Sequence, residues 1–206
     1  MATDADFDVV LFDLGGVLVD FGGVEPMKEL SGITDDDEIW RRWLACEPVR
    51  VYERGDSSVD EFAAGVVDDW DLPITAAEFL ASFRSWIGGP LPGAAALINE
   101  TAAVVAVGCL SNTNALHTDE HFRRWPELTG LEHQLFSFEL GAVKPDRVIY
   151  DRVAERLALQ PGRIVFLDDN QINVDGAMES GFVARRARGV AEARDALVEL
   201  GILAAR

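Results

Sequence analysis

The stretch Val9-Val10-Leu11-Phe12-Asp13-Leu14-Gly15-Gly16-Val17 runs four apolar residues straight into a carboxylate and a pair of glycines. A near-continuous apolar run of this length fits a strand covered on both faces, and glycines directly after it let the backbone turn sharply and approach a ligand. Asp13 is therefore expected at a strand end, its side chain emerging where the sheet stops. Further strand-like runs follow at Val104-Val105-Ala106-Val107, Leu135-Phe136-Ser137-Phe138, Ile164-Val165-Phe166-Leu167 and Phe182-Val183-Ala184. Helical patterns separate the later ones: Ile149, Val153 and Leu157 share one face after a cap at Asp146, and Ala191 through Leu200 forms a closing helix. Strands alternating with helices predict an α/β fold built on an open, parallel, five-stranded sheet.

About ninety residues separate the first two strands, far beyond the roughly 10–12 that one crossover needs. Something is inserted there. Thr34, before Asp37-Glu38, starts one helix with Ile39, Trp40, Trp43 and Leu44 on one face, while Ser58-Val59-Asp60-Glu61 and Thr75-Ala76-Ala77-Glu78 have capping-box spacing. Phe62, Val66 and Trp70 line the second helix, and Phe79, Phe83 and Trp86 the third. The expected organisation is a core of residues 1–16 and 91–206 with an all-helical cap of residues 17–90 over the mouth of the sheet. The Gly/Pro-dense run Gly88-Gly89-Pro90-Leu91-Pro92-Gly93 suits the return hinge. Four of the five tryptophans lie in this insertion, where large aromatics serve a small core.

Ligands of open parallel sheets bind outside the carboxyl ends of the strands, so groups distant in sequence meet there. Three further stretches qualify: Leu110-Ser111-Asn112-Thr113-Asn114 at the end of the second strand, Lys144-Pro145 in a loop before a helix, and Asp168-Asp169-Asn170 ending another strand. Asp168 and Asp169 beside Asp13 would repel one another unless a cation sat between them, and oxygen-only ligation points to Mg²⁺. Hydroxyl, amide and N–H donors of Ser111, Asn112 and Thr113 fit phosphate oxygens, although the same cluster also makes a plain helix N-cap. Lys144 is either a solvated charge or an ammonium whose direction Pro145 helps to fix.

In this order and spacing the four stretches resemble motifs one to four of the haloacid dehalogenase superfamily, over nearly the whole chain, with a helical cap between motifs one and two as in the C1-capped subfamily. The Ser-Asn stretch with His117 and Thr118, together with Phe166-Leu167-Asp168-Asp169-Asn170, is similar to bacterial α-D-glucose-1-phosphate phosphatases and, more loosely, to the N-terminal phosphatase domain of soluble epoxide hydrolases. The resemblance implies a Rossmann-like core and a Mg²⁺-dependent phosphatase of small phosphate monoesters. It implies Asp13 as the nucleophile that becomes an aspartyl-phosphate, with Ser111 and Lys144 holding the phosphoryl group. Gly15, Gly16, Asn112 and His117 would line the phosphate and substrate side. Mg²⁺ would take Asp13, the Gly15 carbonyl and Asp169, with Asp168 acting through water and orienting Lys144. Asn173 matches a later acidic position of motif four.

One departure matters. Phosphatases of this superfamily carry a second Asp two residues after the nucleophile, which protonates the leaving oxygen and then activates water, whereas this chain has Gly15. Losing a general acid removes a factor of about 10² to 10⁴. A sugar 1-phosphate, whose anomeric oxygen leaves more readily than an ordinary alkoxide, suits such a site. Asp20 is the nearest spare carboxylate. Two other readings stand beside phosphatase: metal-independent 2-haloacid dehalogenase, which also lacks the second Asp, and a phosphate-binding protein without turnover. His117-Thr118-Asp119-Glu120-His121 also has the pattern of inverted zinc peptidases.

The bulk numbers exclude several partners. A net charge of -18, from 18 basic and 36 acidic residues, disfavours nucleic acid and anionic membrane surfaces. Two cysteines, with Cys109 in an apolar run, provide no disulfide framework. Residues 1–6 are acidic without a secretory apolar region, and no apolar stretch reaches membrane-spanning length. A cytoplasmic monomer or homodimer acting on a small-molecule phosphate ester is expected.

Overall fold

A computed structural model of the chain describes residues 7–205; the acidic segment 1–6 and residue 206 lie outside the described residues. Strand β1 (Val9–Phe12) is followed by a short strand β2 (Val19–Phe21), then helices α1 (Val24–Ser31), α2 (Asp36–Ala45), α3 (Glu47–Glu53), α4 (Val59–Asp69) and α5 (Ala76–Arg84), and a returning strand β3 (Ile87–Pro90). The remainder alternates: α6 (Ala94–Ala102), β4 (Ala106–Ser111), α7 (Ala115–Glu120), β5 (His133–Phe136), α8 (Ser137–Leu140), α9 (Arg147–Leu157), β6 (Ile164–Asp168), α10 (Gln171–Glu179), β7 (Val183–Arg186) and α11 (Gly189–Glu199).

The five strands β5-β4-β1-β6-β7 form one parallel sheet with β1 at its centre. Both faces of that sheet are buried, which explains why its strands read as unbroken apolar runs rather than as alternating ones. Val10 and Phe12 point to the side packed by Leu97 and Ile98 of α6 and Leu197 of α11. Val9 and Leu11 point to the opposite side, against Ile149, Tyr150 and Val153 of α9 and Val174 of α10. Strand order reverses at β1, since the chain passes to β4 and β5 on one flank before crossing to β6 and β7 on the other. The crevice at that switch point is where such sheets bind ligands.

The five helices between β2 and β3 have an apolar cluster of their own, built on Trp43, Phe62, Phe79, Phe83 and Trp86. Both expected capping boxes form, Ser58 with Glu61 and Thr75 with Glu78. The insertion is not all-helical as expected. Its entry and exit strands pair antiparallel, Val19 opposite Pro90 and Asp20 opposite Gly89, so the expected loop hinge at 88–90 is one strand of a ribbon. Val17, Leu18 and Val19 pack with the sheet's cluster rather than with the insertion's.

Other boundaries move for local reasons. Strand β4 begins at Ala106 because the Val104 and Val105 N–H groups still bond back to Thr101, leaving Val104 exposed. Strand β5 stops at Phe136, and Ser137 and Phe138 open α8 instead of continuing it. Helix α2 is capped by Asp35, which accepts from the N–H groups of Asp37 and Glu38, rather than by Thr34. Asp146 precedes α9 as expected but makes no side-chain cap; its carboxylate is taken by Arg50 of the insertion. Among the described residues no helix is long and apolar enough to cross a membrane, and both cysteines are buried and free.

Candidate active site

The backbone carries β1 one residue further along β6, with the Asp13 N–H donating to Leu167 O at 2.7 Å. Asp13 therefore leaves the sheet level with Asp168, the last residue of β6, and Ser111 ends the neighbouring β4. Lys144 comes from the loop before α9 and reaches this point fully buried, its peptide to Pro145 being cis. Its Nζ lies 2.6 Å from Asp168 Oδ2, 3.0 Å from Asp13 Oδ1 and 3.1 Å from Leu110 O. Burial works against this ammonium, but the Asp13 and Asp168 carboxylates hold it charged, above the usual lysine range.

Asp168 is saturated. Besides Lys144 it accepts from the Asn170 N–H at 2.8 Å and from Asn173 Nδ2 at 3.1 Å on both oxygens. Its carboxylate thus fixes the lysine and has no lone pair left facing outward, in keeping with an orienting role rather than direct metal ligation. Asp13 and Asp169 are short of positive charge. Burial, partly offset by Lys144, pushes the Asp13 carboxyl up to about 6, and burial together with the charges of Asp13 and Asp168 pushes Asp169 up to about 7.

Oxygens of Asp13, Asp168 and Asp169 lie within 4.8 Å of one another. Three carboxylates face one buried ammonium, and Asn173 Oδ1 beside them is buried with no hydrogen-bond partner. This donor set of hard oxygens fits a divalent cation such as Mg²⁺, with Asp13 and Asp169 free to hold it. Gly16 completes the fit for a reason other than the expected one. Its N–H donates to Val19 O and its carbonyl accepts from Gly189 N–H, so neither group faces a phosphate. What the glycine supplies is space, because a Cβ there would come 2.4 Å from Asp169 Oδ2, and its φ of +72° is a left-handed conformation.

The Ser-Asn stretch divides its work. Asn114 caps α7 by accepting from the His117 N–H. Asn112, expected on the phosphate side, spends its amide on Lys144, with Nδ2 donating to Lys144 O at 3.0 Å and Oδ1 accepting from Lys144 N–H at 2.8 Å. It is a clamp on the lysine backbone. Ser111 lines the cleft, its hydroxyl having only a long, 3.5 Å contact to Asn112 O, and Thr113 is also among the lining residues, its hydroxyl buried without a partner.

The cleft of about 280 Å³ lies between the sheet and the insertion. Asp13, Ser111, Lys144 and Asp169 form its floor, and Trp40, Trp43, Leu44, Phe83 and Glu53 come from the insertion. Glu53 was not anticipated: no periodicity marks it, and only the fold turns the end of α3 toward Asp13. Arg188, from the loop after β7, also lines the cleft and escaped the sequence reading. Asp20 is exposed and packs over Gly88 on the ribbon, outside this lining.

His117 reaches the cleft but is committed elsewhere than to a phosphate. Its Nε2 bonds to Phe83 O at 3.0 Å and its ring stacks on Phe83. Burial holds the imidazole neutral, its pKa pushed down to about 4, so Nε2–H is the donor. Glu120 pairs with Arg84 of α5, and His121 stacks on Trp125. The His-x-x-Glu-His run thus ties the insertion to the sheet domain. The Asp13 group is the one cluster of three or more possible metal ligands among the described residues, and it contains no histidine.

Comparison with known proteins identifies the family and supports the fold. The family described as haloacid dehalogenase-like hydrolase matches residues 7–181. The enolase-phosphatase E1 of Frankia alni is 30% identical over 161 residues, covering 72% of this chain and 67% of that protein. Phosphatase MT3486 of Mycobacterium tuberculosis is 26% identical over 200 residues, covering 92% and 91%. Among solved structures, the magnesium complex of a HAD family enzyme from Bacteroides thetaiotaomicron superposes with a TM-score of 0.65 at 23% identity, covering 89% of this chain and 94% of that one.

Proposed function

The chain belongs to the haloacid dehalogenase-like hydrolases, and from that premise we propose that it is a Mg²⁺-dependent phosphatase of small phosphate monoesters working through an aspartyl-phosphate on Asp13. The observation that carries this reading is the buried Lys144 ammonium 3.0 Å from Asp13 Oδ1, with Asp169 close enough to share a cation with that same carboxylate. Both relatives described above are named as phosphatases, which supports the same chemistry. Metal-independent dehalogenation leaves the three clustered carboxylates without a purpose. A binding protein without turnover leaves unexplained why a carboxylate is aimed beside the lysine at the sheet's switch point.

In this reading Lys144 and the Ser111 hydroxyl hold the phosphoryl oxygens while an Asp13 oxygen attacks phosphorus, and the Thr113 hydroxyl offers a further contact. Asp168 and Asn112 keep Lys144 in place, one by its ammonium and the other by its backbone. When bound, Mg²⁺ supplies charge neutralisation among the carboxylates and a template for the incoming phosphoryl group. Asp13, Asp169 and the Gly15 carbonyl would hold it. The insertion walls off bulk water over a cleft whose volume suits a sugar-sized ligand, and a sugar 1-phosphate is the first substrate class to test. The acidic surface and free cysteines suit a cytoplasmic enzyme, monomer or homodimer, acting on a small molecule.

Phosphate release should be measured over sugar 1- and 6-phosphates, nucleotides and an aryl phosphate, with and without Mg²⁺, with Asp13→Asn as the blank. Turnover that survives Asp13→Asn, or chloride release from a 2-haloacid in EDTA, would reverse the assignment.

A further inference from the structure

We propose that Glu53 is the general acid and base of this reaction, delivering from the helical insertion the proton that position 15 has no side chain to deliver. The proposal rests on the phosphatase reading and concerns a residue that the motif pattern does not include.

Elimination narrows the choice. Besides Asp13, Asp169 and the lysine, the titratable side chains lining the cleft are Asp36, Glu53, His117 and Arg188. Asp36 is exposed and ion-paired with Lys28 at 2.9 Å. His117 is bound to Phe83 O. A guanidinium does not release its proton. Glu53 is left, half-buried, with no hydrogen bond or ion pair to its carboxyl among the described residues.

Its position is fixed from both sides. Glu53 is the last residue of α3, one turn after Arg50, whose guanidinium pairs with Asp146 of the sheet domain. Two residues further on, Gly55 presses against the backbone of α8, where a Cβ would come 2.8 Å from Phe138 O, and its φ is +81°. The end of α3 is therefore pinned to the sheet domain around Glu53, which faces the carboxyl ends of β1 and β4. The groups whose charges act on its carboxyl are Lys144, Asp13 and Arg50. Burial keeps it protonated at neutral pH, up to about 8, with Lys144 pulling the other way. A general acid must hold its proton until the leaving group takes it.

The step balances without any other reagent. As an Asp13 oxygen bonds to phosphorus, the bond from phosphorus to the ester oxygen breaks, and that oxygen keeps the electron pair and takes the Glu53 proton, leaving as the alcohol. Glu53, now a carboxylate, removes a proton from water as the water oxygen attacks phosphorus. The bond to Asp13 breaks, its electron pair returns to Asp13, and inorganic phosphate leaves with Glu53 protonated again.

The test compares wild type, Glu53→Gln, Asp13→Asn and the double variant Gly15→Asp/Glu53→Gln on glucose 1-phosphate, glucose 6-phosphate and p-nitrophenyl phosphate, reading phosphate release and acid-quenched phosphoprotein by mass. Glu53→Gln should lose a factor of about 10² or more in kcat on glucose 6-phosphate. It should still transfer phosphate from p-nitrophenyl phosphate, whose leaving group needs no proton, and then accumulate the Asp13 phosphoprotein because water is not activated. Gly15→Asp should recover turnover, since a Cβ at position 15 meets only ordinary contacts at 3.6 and 3.8 Å to Phe21. An unchanged kcat in Glu53→Gln, or a loss confined to KM, would overturn the proposal. Absence of any phosphoprotein in wild type, or full activity of Asp13→Asn, would instead overturn the phosphatase reading on which it stands.

Discussion

The Asp168 carboxylate holds the Lys144 ammonium at 2.6 Å in a place where both side chains are sealed from solvent. Two charges taken out of water are stable only when paired and fully hydrogen-bonded, and removing one partner leaves the other stranded. Asp168→Asn should therefore cost about 3 kcal/mol of folding stability in urea unfolding. It should also lower kcat, because Lys144 would swing wholly onto Asp13 and blunt the nucleophile. A variant as stable and as active as wild type would show that the pair does not position the lysine.

Gly16→Ala tests how Asp169 reaches the other carboxylates. The new methyl would come within 2.4 Å of Asp169 Oδ2 at a residue with φ of +72°, so the side chain must move and the backbone is strained by about 1–3 kcal/mol. Titration calorimetry should show Mg²⁺ binding weakened by about tenfold or more, equivalent to ~1.4 kcal/mol. Affinity equal to wild type would mean that Asp169 is not a ligand.

Stability without Mg²⁺ should be greatest near about pH 4, where the carboxyls of the cleft begin to ionise in the unfolded chain, and should fall toward about pH 8, because three raised carboxyls outweigh one depressed imidazole. Asp13, Asp169 and Glu53 hold their protons more tightly in the folded chain, at about 6, 7 and 8. Their contribution is present at low pH and is lost as pH rises through those values. His117, pushed down to about 4, acts oppositely: its contribution is present above its ordinary value of about 6.5 and is lost as pH falls toward 4. Adding Mg²⁺ should extend stability toward alkaline pH, since it favours the deprotonated carboxylates. Thermal melts from pH 4 to 9 decide this, and a profile that rises steadily to pH 9 without metal contradicts it.

The contacts between insertion and sheet domain differ in weight. Arg84 and Glu120 are each more than a third exposed at their side chains, and such a pair contributes about 1 kcal/mol or less. His117 buries a hydrogen bond and a stacked ring against Phe83. In a closure assay, for example fluorescence of the insertion's tryptophans on phosphate binding, His117→Ala should loosen the insertion and raise KM severalfold. Arg84→Ala should show a small effect that disappears at high salt. Equal effects of the two variants would refute this ranking.

The sheet was legible because both of its faces are covered, which leaves strands such as Val9–Phe12 and Ile164–Asp168 as unbroken apolar runs. The carboxylate cluster was legible because Asp13, Asp168 and Asp169 sit where those runs stop. The ribbon was not, since β2 and β3 are short, and β3 carries two glycines and a proline, which read as a loop until each strand finds the other. Asn112 and Gly16 were assigned to the phosphate because side-chain type does not reveal which donor is already spent. Glu53 was invisible for a different reason: its neighbours Lys144 and Asp13 lie ninety-one and forty residues away in sequence, and nothing local to α3 distinguishes it from any other helical glutamate.

Pairing Val19 with Pro90 and Asp20 with Gly89 means that the insertion departs and returns through one two-stranded stalk. Everything between Phe21 and Ile87 can then be exchanged for a foreign module without re-threading the sheet, since the ends to be spliced are already neighbours. Transplanting this segment onto a related scaffold would carry its aromatic wall and Glu53 along as a single part, while the carboxylates beneath stay with the host.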